Sequence, residues 1–283
     1  MITRHSGIPY LSYSGCSTYL TCPRKYFFGY ISQPPGITPD PRSSLFGSII
    51  GRIFEWFYSK SIWTRHDAVD TTVSMVDSAM SSVLMEEGVN PSYDPVFFSS
   101  IKEEISALIP KGIESIRSHK LLSERSQAEY KLNVKTSKDG VTLRLGGRAD
   151  FIHWTRDGVW ILDGKSSAKR ELYADPQQLI WYALLFYLRF SVAPTRLGFI
   201  FWRFPDNPIQ WIEYDADSMR RLHALAFEVN GKIALRQFDP TPSKSCIICD
   251  YKSVCPEGSK HAQDLRVESN GRVETSLFGF ETF

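Results

Sequence analysis

Two apolar runs set either side of four turn residues constrain this chain more than any other stretch. Leu143 to Trp154 and Val159 to Lys165 flank Thr155-Arg156-Asp157-Gly158. Aromatic and β-branched residues around an Asp-Gly step predict a β-hairpin. If those four residues form the loop, Asp150 and Asp163 stand directly opposite each other. If Asp157-Gly158 alone turn the chain, Asp150 faces Lys165, with Asp163 diagonal to it. In both registers Asp150, Asp163 and Lys165 share one face, because side chains alternate with period two. Two carboxylates within about 5 Å repel unless positive charge lies between them. Lys165 supplies part of that charge, and a divalent ion is expected to supply the rest. Hard oxygen ligands with open water positions suit magnesium or manganese. The plainer alternative is a salt-bridged hairpin with Asp163 and Lys165 as a solvated pair. Trp160, Ile161 and Leu162 weigh against it, since they make the strand largely buried, where an unpaired aspartate is costly. Downstream, Gln178 and Tyr182 fall at i and i+4 of an apolar helix and share a face.

Gly147-x-x-Asp150, Asp163-x-Lys165 and Gln178-x-x-x-Tyr182, in that order and at short spacing, resemble the PD-(D/E)XK nucleases of the RecB-like exonuclease group. That group includes the CRISPR-adaptation and AddB-type members. The resemblance runs from Tyr10 to Cys255. It implies an α/β fold: a mixed central sheet flanked by helices, a helical insertion and a cysteine-clipped iron–sulfur subdomain. It implies a metal-dependent DNA exonuclease acting in replication, recombination, repair or CRISPR-type adaptation. Asp150, Asp163 and the carbonyl of Gly164 would be the metal ligands, and Lys165 would orient or help deprotonate the attacking water. Gln178 and Tyr182 would position DNA and support the lysine. Arg24, Lys25, Arg148 and Lys169 are candidate phosphate contacts.

The chain departs from the family pattern on one helix. The family carries Gly-x-x-x-His there, its histidine a metal ligand; here Gly47 is followed by Gly51. Glu55 falls at the place of the family's helical glutamate, and Glu129 matches a glutamate common before the first aspartate motif. Both are further candidate site residues. The missing histidine motivates a rival expectation, a catalytically weak DNA-end-binding protein of the same fold with a structural zinc or iron–sulfur site.

The 283 residues suit one elaborated domain, or one domain with a small subdomain. The expected division is an amino-terminal segment, 1–43; a core, 44–240, with a helical insertion near 67–119; a cysteine segment, 241–258; and a polar tail, 259–283. With 33 basic and 31 acidic residues the net charge is only +2, so any nucleic-acid footprint must be local. No apolar run of about 18 residues and no signal-peptide h-region is visible, which predicts a cytoplasmic protein without a membrane partner. The five cysteines are odd in number and unevenly placed, arguing against a disulfide framework. Cys246, Cys249 and Cys255 are compact enough to argue for metal binding. Cys22 is the best fourth ligand and Cys16 the runner-up. The pattern resembles the split 4Fe-4S clip of the same nucleases, although four thiolates also suit zinc.

Coarse periodicity predicts helices over 44–59, 67–87, 97–119, 172–188 and 218–236, and strands over 128–134, 195–204 and 209–214. Ser12 or Ser14 caps a short helix, and Pro23 opens the next. Residues 256–272 read as polar and loosely held. Leu277, Phe278, Phe280 and Phe283 end that tail and resemble the clamp-binding peptides of T4-type phage DNA polymerases. That implies docking on a sliding clamp and a phage-encoded nuclease. No helicase motif is present, so unwinding would fall to a helicase or recombination partner.

Overall fold

The computed structural model describes residues 8–37, 42–165, 174–204 and 206–277, without the side chains of 42, 43, 93 and 268–277. In chain order the elements are β1 (Tyr10–Ser12), α1 (Tyr13–Thr21), α2 (Pro23–Tyr26), α3 (Arg42–Ser59), α4 (Ala68–Ser74), α5 (Val76–Glu87) and α6 (Pro95–Ser118). Then follow β2 (Ser126–Lys138), β3 (Val141–Thr155), β4 (Gly158–Lys165), α7 (Pro176–Phe190), β5 (Arg196–Phe201), β6 (Ile209–Ile212), α8 (Ala216–Ala234) and α9 (Pro256–Leu277). Two compact units result, one of residues 1–40 with 226–283 and one of residues 41–225. Among the described residues no helix is long and apolar enough to cross a membrane.

The larger unit is an α/β core on a mixed sheet. β2 runs antiparallel to β3, β3 antiparallel to β4, β4 parallel to β5, and β5 antiparallel to β6. The hairpin takes the first of the two registers. Thr155 pairs with Gly158 and Phe151 with Leu162, so the next step brings Asp150 opposite Asp163. α7 connects parallel strands β4 and β5. The carboxyl end of such parallel strands is the usual place for a ligand site.

Local chemistry explains the supporting helices. On α3, Leu45, Ile49, Ile53 and Phe57 repeat every four residues and are fully buried, the stripe an amphipathic helix needs. Ile105, Ile109 and Ile113 do the same on α6. Its start is fixed by Asp94, whose side chain accepts the Phe97 N–H at 3.1 Å, and by Pro95 in the first turn. Asp175 caps α7 in the same way, accepting the Gln177 N–H at 3.0 Å. α3, α5 and α6 bury one continuous apolar cluster that reaches Phe151, Leu162 and Ile200 of the sheet. Each large side chain so buried contributes roughly 1.5–3 kcal/mol.

Two expectations change. The helix anticipated over 67–87 is two, α4 and α5, parted at Met75. The segment 256–272, anticipated as loosely held, is helical in α9, with Pro256 at its first position, where the missing N–H costs nothing. In the smaller unit Ser12 caps α1 by accepting the Gly15 N–H at 3.1 Å. Tyr19, Tyr26 and Phe27 pack around Phe238.

Candidate active site

The larger unit holds a cleft of about 370 Å³ lined by Glu129, Arg148, Asp150, Asp163, Lys165 and Gln178, with Arg52 and Glu55 from α3 and Glu86 from α5. Backbone geometry builds its floor. The β2–β3 register runs from Ala128 against Phe151 to Tyr130 against Ala149, which sets Glu129 across from Asp150. Glu129, Asp150 and Asp163 therefore form a row of carboxylates over three adjacent strands. Glu129 holds a left-handed backbone with φ of 53°, a strained state for a residue with a side chain.

Every acid in the row has a partner. The Asp163 carboxylate meets Lys165 Nζ at 2.7 Å and accepts the Gln178 amide N–H at 3.0 Å. Gln178 Oε1 accepts from Lys165 Nζ at 2.9 Å, and its amide also donates to the Tyr182 hydroxyl at 3.1 Å. Asp150 Oδ2 accepts the Gly164 N–H at 2.8 Å. Glu129 pairs with Arg148 Nε at 2.5 Å. Lys165 also lies 5.3 Å from the Phe199 ring centroid, a favourable place for a cation.

Burial decides the protonation chemistry. It pushes the Asp150 carboxyl well above the usual range, and the nearby charges of Asp163 and Glu129 push it further. Asp163 rises for the same first reason, although Lys165 opposes the shift. Glu129 is raised by burial and held back by Arg148. A row of carboxyls this basic holds a proton more readily than free aspartate does.

The structure thus brings Asp150, Asp163, Lys165, Gln178 and Tyr182 together, with Glu129 among them. The Tyr182 ring belongs to the core: the tyrosine is 7% exposed, and a Cβ on Gly147 would come within 2.9 Å of that ring. Only its hydroxyl serves the network. Glu55 reaches the cleft wall but pairs with Arg52 Nε at 3.0 Å. Gly51 has a reason to be glycine, because a Cβ there would stand 3.0 Å from Glu129 Oε1. A histidine in its place would contest the space that Glu129 fills. Arg148 lines the cleft, whereas Arg24 spends its Nε on the Phe238 carbonyl at 2.8 Å. Lys25 borders the cysteine-lined cavity of the smaller unit. Lys169 lies outside the described residues, as do Phe278, Phe280 and Phe283.

Sequence reading missed Arg52. Its guanidinium meets Glu86 through both nitrogens at 2.9 and 2.8 Å, fastening α3 to α5 along one wall. Nothing in the spacing of Arg52 and Glu86 signals that pairing. Trp202, whose indole covers the backbone of Gly164, was also missed; an aromatic at the end of β5 was its only sign.

The metal expectations are corrected. Among the described residues no group of three or more His, Cys, Asp or Glu side chains could hold a metal ion. In the cleft, Lys165 and Gln178 occupy the Asp163 oxygens and Arg148 occupies Glu129. The Gly164 N–H occupies Asp150 Oδ2. Magnesium or manganese on Asp150, Asp163 and Gly164 does not fit this donor set. The 4Fe-4S cluster, and zinc in its place, is overturned likewise, and no cysteine-clipped subdomain is formed among the described residues. Cys22, Cys246, Cys249 and Cys255 border one cavity of about 30 Å³, room for about one water. Three of these sulfurs act as ordinary hydrogen-bonding groups. Cys22 accepts the Thr241 N–H at 3.5 Å, Cys246 accepts the Ser243 N–H at 3.4 Å, and Cys255 donates to Glu257 at 3.8 Å. Burial raises the Cys255 pKa, which favours thiol over the thiolate a metal requires. Cys16, the runner-up ligand, is buried at 3% exposure.

Compared with known families, residues 10–256 match the model described as the PD-(D/E)XK nuclease superfamily. No curated protein matches the chain. A solved structure described as the crystal structure of SSO0001 aligns with a TM-score of 0.42 and 14% identity, covering 90% of this chain and 88% of that one.

Proposed function

The chain belongs to the PD-(D/E)XK nuclease superfamily, and from that premise we propose that its cleft hydrolyses phosphodiester bonds in DNA, as an exonuclease of the RecB-like group. One observation carries this reading: Lys165 Nζ is fixed between Asp163 and Gln178 beside the raised carboxyl of Asp150. A cation so held offsets charge on the scissile phosphate and on the pentavalent transition state. One carboxylate of the Asp150–Asp163 pair, made more basic by burial, takes the proton of the attacking water. The water oxygen bonds to phosphorus as the bond to the leaving sugar oxygen breaks, and a proton on the raised pair is available to that oxygen. Gln178 keeps the lysine aimed, and the Tyr182 hydroxyl keeps the glutamine aimed. The Arg52–Glu86 contact closes one wall of the cleft, which favours a strand entering by its end. On this reading DNA is the partner of the cleft, and duplex opening falls to a separate helicase. Docking of the carboxy-terminal peptide on a sliding clamp rests on sequence resemblance alone.

The test is degradation of 5′- and 3′-end-labelled DNA, single- and double-stranded, in buffers with and without divalent cations. The wild type should release mononucleotides or short products from ends. Asp163→Asn and Lys165→Ala protein, purified free of host nuclease, should not. Equal digestion by either variant would refute the assignment.

A further inference from the structure

The sheet does not stop at the cleft. Arg148 lines the cleft and pairs with Glu129, and residues two apart share a face, so Gly146 and Arg144 on β3, with Lys131, Asn133 and Lys135 on β2, run on from it. The register sets Lys131 directly opposite Arg148, Asn133 opposite Gly146, and Lys135 opposite Arg144. Two of these three rungs therefore place cation against cation, an arrangement that weakens a sheet unless an anion resolves it. Arg148 has Glu129. Lys131, Lys135 and Arg144 have no acidic partner among the described residues. Lys131, Asn133, Lys135 and Arg148 are exposed and Arg144 is half-buried, so the cations are open to a ligand. In the middle rung Asn133 is exposed, while Gly146 is buried and adds no side chain.

We propose that this basic ladder is the track along which a DNA strand reaches the cleft, its phosphates lying over the Lys131–Arg148 and Lys135–Arg144 rungs. The proposal rests on the nuclease reading of the cleft for its substrate class. A polyanionic backbone is the ligand whose charge matches two cationic rungs in line with a row of catalytic carboxylates. At about 3.4 Å per residue the ladder extends roughly 20 Å from the Asp150 rung to the Arg144 rung. That is the length of about six phosphates of one strand at ~3.4 Å each along a B-form axis. The Glu129–Arg148 pair is the junction, with carboxylates on one side and, on the other, cations that have no acidic partner among the described residues.

The experiment reads binding, not cleavage. Fluorescence anisotropy of a labelled oligonucleotide is followed against potassium chloride concentration with Asp163→Asn protein and with the same protein carrying Lys135→Ala and Arg144→Ala. Two lost phosphate contacts should lower the slope of log affinity against log salt by about 1.4 on single strands or 1.8 on duplex. Removing two exposed cations elsewhere, Lys111→Ala with Arg117→Ala, should leave the slope alone. A second variant guards against a misfolded sheet. Lys135→Glu builds a cross-strand ion pair with Arg144, so its thermal midpoint should hold or rise while DNA affinity falls. An unchanged slope, an equal drop in the control pair, or no DNA binding at all overturns the track. A lowered slope in a protein whose wild type digests nothing would retain the track and reject the hydrolytic reading, so the two failures are distinct.

Discussion

Around Asp163 each polar side chain is held by another polar side chain, in the order carboxylate, ammonium, amide, hydroxyl. Around Cys246 the sulfurs of Cys22 and Cys246 each accept one backbone N–H, at longer distance. Each group is compact within its own unit and lines its own cavity. What separates them is over-determination. Gln178 is bonded to Asp163, Lys165 and Tyr182 at once, so moving any one strains the others. A sulfur with one weak contact constrains nothing beyond itself. Proximity brings candidate residues together, and a reactive arrangement also needs each of them pinned by its neighbours.

The largest effect should come from cutting the pinned group. Lys165→Ala or Asp163→Asn should lower the rate of DNA end degradation by about 10³-fold or more. Cys249→Ser, measured beside them, should change the rate little. Equal losses at Cys249 and Lys165 would break the contrast between the two regions. Next comes Gln178→Ala, which leaves Lys165 present but loosely aimed, with an expected loss of about 10²-fold in kcat. Tyr182→Phe removes only a hydroxyl and should cost less activity and about 1 kcal/mol of stability. Tyr182→Ala should instead cost roughly 3–5 kcal/mol, because the ring is a core side chain. Guanidinium melts separate the two tyrosine variants, and similar stability in both would show that the ring does not pack as described.

A smaller effect distinguishes the regions by pH. The folded pKa of Asp150 is raised above its unfolded value, chiefly by burial and then by Asp163 and Glu129. The fold thus binds this proton more tightly than the unfolded chain does. The resulting stability is fully present below about pH 4, near the unfolded aspartate value, and is lost as pH rises through the folded pKa. Asp150→Asn removes that dependence while its side-chain oxygen still accepts the Gly164 N–H. The variant should therefore be inactive yet melt higher than wild type, by about a few degrees at pH 8 and less at pH 5. A variant that melts lower at pH 8 would show that the carboxyl row is not under charge strain.

The hairpin, its register alternatives and the shared face of Asp150, Asp163 and Lys165 were legible because period-two alternation leaves little freedom once one face is apolar. Gln178 and Tyr182 were legible for the same kind of reason, since i and i+4 must meet on a helix. Glu129 could be noticed but not placed: it reaches Asp150 only through pairing of β2 with β3, and no local period encodes a partner strand. Arg52 and Glu86 were invisible because their contact depends on how α3 packs against α5. Gly51 read as a missing histidine until the strand carrying Glu129 was laid over it. The cysteine spacing was clear but misleading, since spacing fixes which sulfurs are near and says nothing of whether they converge on one point. The helix over 256–272 escaped because its sequence is polar, with Gly258 and Ala262 the buried positions among its described residues 256–267.

The smallest effect is also the most direct check on the cysteine region. Cys16 is 3% exposed, and burial pushes its pKa up to about 11, with the nearby charge of Glu228 adding to the shift. At pH 8 it is almost wholly thiol, and the thiol is the unreactive form. Cys22, Cys246, Cys249 and Cys255 are half-buried and free of disulfides. Timed alkylation of native protein with iodoacetamide, read by peptide mass spectrometry, should label these four well before Cys16. Cys255 should be the slowest of the four, because burial raises its pKa as well. Labelling of Cys16 at the same rate as the rest would mean that the packing around α1 is looser than described. Resistance of all four half-buried thiols would break the comparison with the cleft, since sulfurs that accessible escape alkylation only when each is already bonded to something else.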